Sequence, residues 1–237
     1  LSRYCNRLPT MNETKTNLVF VGGGGLALEV YTFMLDQDFF NVNGLTVKGV
    51  LNAYANCELL AQYPELPYLG LIEDYVSGPN DKAIIMLGGA SDRARIAGVL
   101  SRLQLPLFSY IHPSAIISST AVIADGCYIA PHCVISANAV LEANVLLNVY
   151  SAVGHGSKVG AHSVMSPYSV VNGNCILGET VYLGTRVALF PKITIEKYSL
   201  IDAGCIIREN IPAFSIVSQR PVQQIIENRV LKRACER

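Results

Sequence analysis

The 237-residue chain is long enough for one large domain or two small ones, each able to bury a core. Its eighteen Lys plus Arg balance eighteen Asp plus Glu, so net charge supplies no attraction to nucleic acid or to an anionic membrane surface. Although 51% of residues are hydrophobic, polar or small residues interrupt every apolar stretch before the roughly 18 residues that membrane insertion requires. Residues 1–16 read as a disordered leader: residues 1–10 lack an apolar core of signal-peptide length, and Met11 could be the true start. The seven cysteines are odd in number and show no metal-ligand spacing. With no export signal, they are expected as reduced thiols in a cytoplasmic protein.

Residues 17–21 (NLVFV) form a short apolar strand, residues 22–25 a glycine run, and residues 26–35 a helix. Such a loop lets backbone N–H groups and a helix amino terminus approach a phosphate, although a glycine turn that merely connects strand to helix looks the same. A second strand at 45–51 and a third at 83–87 follow, then Gly88-Gly89 and a helix from 91 to about 103. Residues 106–111 read as the last strand and the exit. This order predicts a small, largely parallel, Rossmann-like α/β domain over 17–111.

From Ala115 the chain divides into sixteen blocks of six residues without an insertion, from AIISST to CIIREN. The third position of every block is aliphatic or Met, from Ile117 to Ile207, and the first is small or β-branched, with Cys127, Cys133, Cys175 and Cys205 among them. A period of six with one large inward residue describes a triangular coil of short parallel strands, three blocks to a turn. Gly or Asn recurs just after the inward residue (Asn148, Gly154, Gly160, Asn172, Gly178, Gly184), where a corner is expected to need unusual backbone angles. About five coils exceed the roughly three repeats that a stacked array needs. A sandwich would instead show period-two alternation and variable turns. The prediction is a left-handed parallel β-helix over 112–212, followed by a tail over 213–237 in which Ile225, Ile226, Val230 and Leu231 have the spacing of a short capping helix.

A glycine-rich α/β domain joined through Ile111-His112-Pro113-Ser114-Ala115 to hexapeptide repeats resembles a bacterial family of sugar acetyltransferases, the PglD and NeuD type. Its members N-acetylate UDP-4-amino sugars or O-acetylate sialic acid. The resemblance spans about Leu18 to Pro221. It implies a nucleotide sugar held by the α/β domain, a homotrimer of coils, and acetyl-CoA between neighbouring coils, with no metal. Gly22, Gly24 and Gly25 match the nucleotide-binding loop, with Leu26 where the family carries histidine. Asn52 stands where a carboxylate normally contacts the base, and Gly88 and Arg93 match a Gly-x-x-x-x-Arg motif. These six are the substrate-binding residues that the resemblance implies. Asn148 and His155 match the catalytic pattern, with His155 as general base, while Gly156 replaces the acidic residue that usually follows it. Gly173, Arg208 and Arg220 are the positions expected to meet acetyl-CoA, although Ser218-Gln219-Arg220-Pro221-Val222 departs from the family's terminal Gly-x-Pro-Ala-Lys.

Thioester aminolysis needs little help with its leaving group, but the incoming amine must lose a proton. An unperturbed imidazole, titrating at about pH 6.5, suits that task. His155 is fifth in its block between two glycines, so its side chain should project from an edge; a solvated corner histidine is the bland alternative. With Gly156 beside it, the ring must be oriented by a backbone carbonyl or a residue such as Asn138 or Asn148. His112, His132 and His162 are expected to be structural. A zinc carbonic anhydrase would need a histidine pair five apart, whereas His155 and His162 are seven apart. Arg186, Lys192, Arg208 and Arg220 are candidates for the CoA phosphates, with solvated corners the equal or better alternative. N-acetylation of a nucleotide-linked amino sugar, sugar O-acetylation, and a binding or scaffold trimer that kept the coils are the three functions to separate.

Overall fold

The computed structural model describes residues 15–219. The first fourteen residues of the expected leader, the expected carboxy-terminal helix and Arg220 lie outside the described residues. Four parallel strands, β1 (Thr16–Val21), β2 (Leu45–Leu51), β3 (Tyr68–Gly70) and β4 (Asp81–Ile85), form the first sheet in the order β3-β2-β1-β4. Alternate residues of β1 serve its two sides. Leu18 and Phe20 pack with Ala27, Val30 and Met34 of α1 (Gly25–Asp36). Val19 and Val21 pack in a second cluster with Ile96, Val99 and Leu100, which belong to a helix over Ala90–Arg102. Two short helices, α2 (Phe39–Val42) and α3 (Glu58–Gln62), precede that helix, which is therefore α4. β3 was not foreseen from sequence. It is three residues long and follows Pro67, too short to show alternation. The strand expected at 106–111 divides: Leu107 bridges to Ala83, whereas β5 (Tyr110–Ile111) pairs with Tyr128–Ile129 of the coils.

At the strands' amino-terminal edge a single buried carboxylate ties three strands together. Asp81 accepts hydrogen bonds from Lys48 Nζ (2.6 Å), Tyr75 Oη (2.6 Å), the Gly78 N–H (2.7 Å) and Asn17 Nδ2 (3.1 Å). Burial alone would raise its pKa, but these bonds, led by that of Lys48, hold it well below the ordinary carboxylate range.

Beyond β5 the chain winds as a left-handed parallel β-helix of two-residue strands. These form a first face of seven strands, a second of six and a third of five. From Ile129 onward every third-position side chain is buried, as are first-position residues such as Cys133, Ser157 and Cys175. From Cys127 to Cys175 the first-position Ser and Cys share one task, which is to donate to a corner carbonyl fifteen residues ahead. Ser157 donates to Asn172 O (2.8 Å), Ser163 to Gly178 O (2.9 Å), Cys133 to Asn148 O (3.2 Å) and Cys175 to Phe190 O (3.1 Å). Burial pushes the Cys127 and Cys133 thiols up to about 11 and about 12, so both remain protonated core donors.

The left-handed backbone angle falls at the sixth position of the block, not the fourth as the glycine pattern suggested. Asn138, Asn144, Gly156, His162, Asn174 and Arg186 all have φ near +60°. Fourth-position glycines are needed for closeness instead. A Cβ on Gly154 would stand 2.6 Å from the Asn172 carbonyl carbon, and one on Gly184 would stand 2.6 Å from the Ala203 nitrogen.

Asp81→Asn is expected to cost about 2–3 kcal/mol at pH 7, because it strands Lys48 and weakens four bonds. A carboxyl whose pKa is lowered on folding contributes stability that is complete above its unfolded pKa of about 3.9 and is lost as pH falls below it. Urea denaturation at pH 7 and pH 3 should therefore show a smaller acid loss in the variant than in the parent.

Candidate active site

His155 lies on the corner between the second and third faces, between β12 (Ala152–Val153) and β13 (Lys158–Val159). The corner is pinned from both sides. The Gly156 N–H donates to Ala137 O one coil below (2.9 Å), and the Asn174 N–H donates to His155 O from one coil above (2.8 Å). Ser157 and Val153 point inward and are buried, so the intervening His155 side chain is exposed as expected. Its ring rests against Gly173 of the next coil: a Cβ there would lie 2.5 Å from Nε2 and 2.6 Å from Cε1. Gly173 thus leaves a bay that any other residue would fill. Further along this corner stand Phe190, Lys192 and Arg208, with the Arg208 guanidinium 4.6 Å from the Phe190 ring centre. The structure therefore brings His155, Gly173 and Arg208 to one edge.

Asn148 is not part of that edge within a chain. It follows β11 (Leu146–Leu147) at the opposite end of the second face, and its Oδ1 accepts the Val149 N–H (2.7 Å). The six-residue period puts Asn148 and His155 on adjacent corners, so their proximity in sequence does not become contact in space.

Gly22, Gly24, Gly25 and Gly88 gather at the carboxyl edge of the first sheet, where strand order reverses between β1 and β4. Gly22 has φ +102°, and a Cβ on it would press Leu87 (2.9 Å) and Met86 O (3.0 Å); Gly88 faces open space. The Glu58 carboxylate lies over the start of α1, 3.3 Å from a Cβ position on Gly25, where the helix dipole favours negative charge. Asn52 donates to Tyr54 O (2.9 Å).

Arg93 corrects the motif match. It is fully buried and offers no donor to a ligand. Nη1 donates to Ile85 O (2.8 Å) and Leu87 O (3.2 Å), Nε to Asn144 O (3.1 Å) and Nη2 to Asn144 Oδ1 (2.5 Å). Asn144 Nδ2 donates back to Arg93 O (3.1 Å) and to His162 Nδ1 (3.0 Å). Burial draws the guanidinium pKa down to about 10, so it stays charged at neutral pH. Arg93 bolts α4 to the corner between the third and first faces. Above this bolt a cleft of about 310 Å³ opens between the start of α4 (Gly89 to Asp92) and the coils, lined there by Thr180, Tyr182 and Tyr198. Thr180 is buried, and among the described residues its hydroxyl has no partner. Sequence reasoning missed these residues, which only the docking of two domains brings together.

The remaining histidines are held in packing. His112 Nδ1 bonds Ser114 Oγ (2.8 Å) and its ring lies against Phe33, and His132 stacks on Tyr150 at 4.9 Å between ring centres. Among the described residues no group of three or more His, Cys, Asp or Glu is arranged to hold a metal, and no helix is long and apolar enough to cross a membrane.

No family model matches the chain, and no curated protein does. Solved structures share its architecture. A histidine-to-asparagine mutant of perosamine N-acetyltransferase from Caulobacter crescentus, in complex with CoA and GDP-perosamine, aligns with a TM-score of 0.74 at 21% identity, over 84% of this chain and 92% of that one. The acetyltransferase domain of PglB from Neisseria gonorrhoeae aligns with a TM-score of 0.75 at 22% identity, over 89% and 100%. WeeI from Acinetobacter baumannii aligns at 0.72 and 18%, over 86% and 97%. The shared fold is thus an α/β domain carried on a left-handed β-helix.

Arg93→Met should lower stability by about 3 kcal/mol or more, because it leaves buried carbonyls and the Asn144 amide unpaired. Chemical denaturation measures this, and an unchanged midpoint would return Arg93 to the role of a ligand.

Proposed function

We propose that the protein is an acetyl-CoA-dependent N-acetyltransferase acting on a nucleotide-linked amino sugar, with His155 as general base. The observation that carries this reading is the exposed imidazole lying in the bay above Gly173, on the edge that also bears Phe190 and Arg208. The acceptor amine attacks the thioester carbonyl, a C–N bond forms as the C–S bond breaks, Nε2 takes the amine proton, and that proton can pass to the departing thiolate. The Gly173 N–H, which makes no hydrogen bond among the described residues, is a backbone donor beside the ring for the tetrahedral oxyanion. Arg208 supplies charge for the CoA phosphates. The nucleotide would occupy the crevice at Gly22 and Gly88, with its sugar directed to the cleft before α4. Acetyl-CoA and nucleotide sugars place such an enzyme in the cytoplasm.

The α4 cleft and His155 stand on different corners of the β-helix, separated by the third face, so an acceptor held by one copy meets the histidine of another. The second face suits that assembly. Its outward column, Ile116, Val134, Ala152, Val170, Ala188 and Ile206, is entirely apolar, and cyclic packing of three copies would cover it. The Glu58 carboxylate over α1 favours one second reading, O-acetylation of a sugar that carries no nucleotide, by the same base.

Incubation with acetyl-CoA and a panel of GDP-, UDP- and dTDP-linked amino sugars, with sialic acid as a further acceptor, should release CoA thiol with one of the amino sugars. Release with sialic acid alone selects the second reading, and no release with any acceptor overturns both. His155→Ala should lower kcat by about 10² or more while leaving acetyl-CoA binding nearly unchanged and stability within about 1 kcal/mol. Light scattering should give the mass of three chains, and a monomer at micromolar concentration would contradict the shared site.

A further inference from the structure

A histidine that takes a proton through one ring nitrogen needs an acceptor on the other, to fix the tautomer and the ring plane. Nε2 of His155 lies against Gly173, which leaves Nδ1 to be held. The residue after His155 is Gly156, at φ +64°, and no side chain reaches the ring from there. Instead, the space beside Gly156 is occupied from the coil above. Asn174 Oδ1 lies 2.5 Å, and its Cγ 3.5 Å, from where a Cβ on Gly156 would stand, and apart from the flanking residues no other heavy atom comes within 4 Å of that point.

The other amides around this corner are held toward other groups or lie away from that point. Asn172 Nδ2 donates to Leu189 O (2.6 Å), Asn148 Oδ1 accepts the Val149 N–H across the second face, and no atom of Asn138 comes within 4 Å of the point beside Gly156. Asn174, by contrast, is fastened to the histidine's own backbone through its N–H, at 2.8 Å from His155 O. Its left-handed φ of 58° sets its side chain over the same corner.

We propose that Asn174 is the positioning residue of His155: its amide oxygen accepts the Nδ1–H bond in the working enzyme and leaves Nε2 free to take the substrate proton. Gly156 and Asn174 form one device, since a side chain at 156 would displace the amide. This rests on His155 being the base. The charged groups along this corner are Lys192 one coil above Asn174, Arg208 against Phe190, Glu209 next to Arg208 and three coils above His155, and Lys158 on β13, which is paired with Glu142 at 2.7 Å. Glu142 is held by Lys158 and Glu209 stands three coils from His155, so neither carboxylate takes the place of the amide.

Asn174→Gly keeps the left-handed corner that glycine adopts readily and removes only the amide. It should lower kcat about tenfold or more with KM for acetyl-CoA within about twofold. Asn174→Asp should retain most of the rate and move the acidic limb of the pH–rate profile to higher pH, because a carboxylate stabilises the imidazolium. Acetyl-CoA with the best acceptor from the nucleotide-sugar panel is the probe. An Asn174→Gly rate within twofold of the parent, with an unmoved limb in Asn174→Asp and an inactive His155→Ala, overturns this inference and leaves the general base standing. An active His155→Ala overturns both. A reading that needs no turnover is the NMR titration of the four histidines in the free protein, with His155 assigned by its loss in His155→Ala. Its titration should move to higher pH in Asn174→Asp, and an unmoved curve contradicts the contact.

Discussion

A parallel coil in which each strand bonds to the strand one turn away places every residue beneath the residue eighteen positions ahead. Everything at the proposed site depends on that register. It puts Gly173 above His155, Asn174 above Gly156, and His162 above Asn144. Register is secured by one aliphatic layer per block and by Ser or Cys donors that absorb the corner carbonyls, so the corners are free to vary without loosening the core. A one-residue insertion anywhere between His155 and Asn174 would turn the inward layer outward and dismantle the edge together.

The second fixed relation is between the domains. Arg93 reaches from α4 to both ends of Asn144, and an aromatic series from Phe39 through Tyr110 to Tyr128 continues the α/β core into the first face. A buried guanidinium held by carbonyls rather than by a carboxylate is costly to break, and this favours one docking geometry over a hinge. The crevice at Gly22 and Gly88 and the cleft before α4 are therefore carried at a fixed height along the coils.

The period-six aliphatic run made the β-helix legible, because its chemistry is local and repeats without interruption. The glycines at the fourth position were read as angle-makers, but their reason is contact with the coil above, which a sequence shows only if residues are compared eighteen apart. The same comparison would have exposed Asn174, which lies that distance beyond Gly156, whereas Asn148 came from the family's catalytic pattern and stands on another corner. Arg93 matched a motif that says nothing about which way its side chain points. Thr180, Tyr182 and Tyr198 left no trace, because docking of the α/β domain, not any local pattern, makes them line a cleft.

Structures at 18–22% identity share the architecture, and the chemistry of this chain rests on its own corner. The proposed reaction takes place at the bay between His155 and Gly173. A crystal structure of the protein with CoA tests it most directly. The CoA sulfur is expected beside His155 Nε2, close enough for the roughly 3–3.5 Å approach of reacting atoms, with the phosphates toward Arg208. CoA seated instead in the cleft before α4, with the His155 edge empty in every copy, would contradict it.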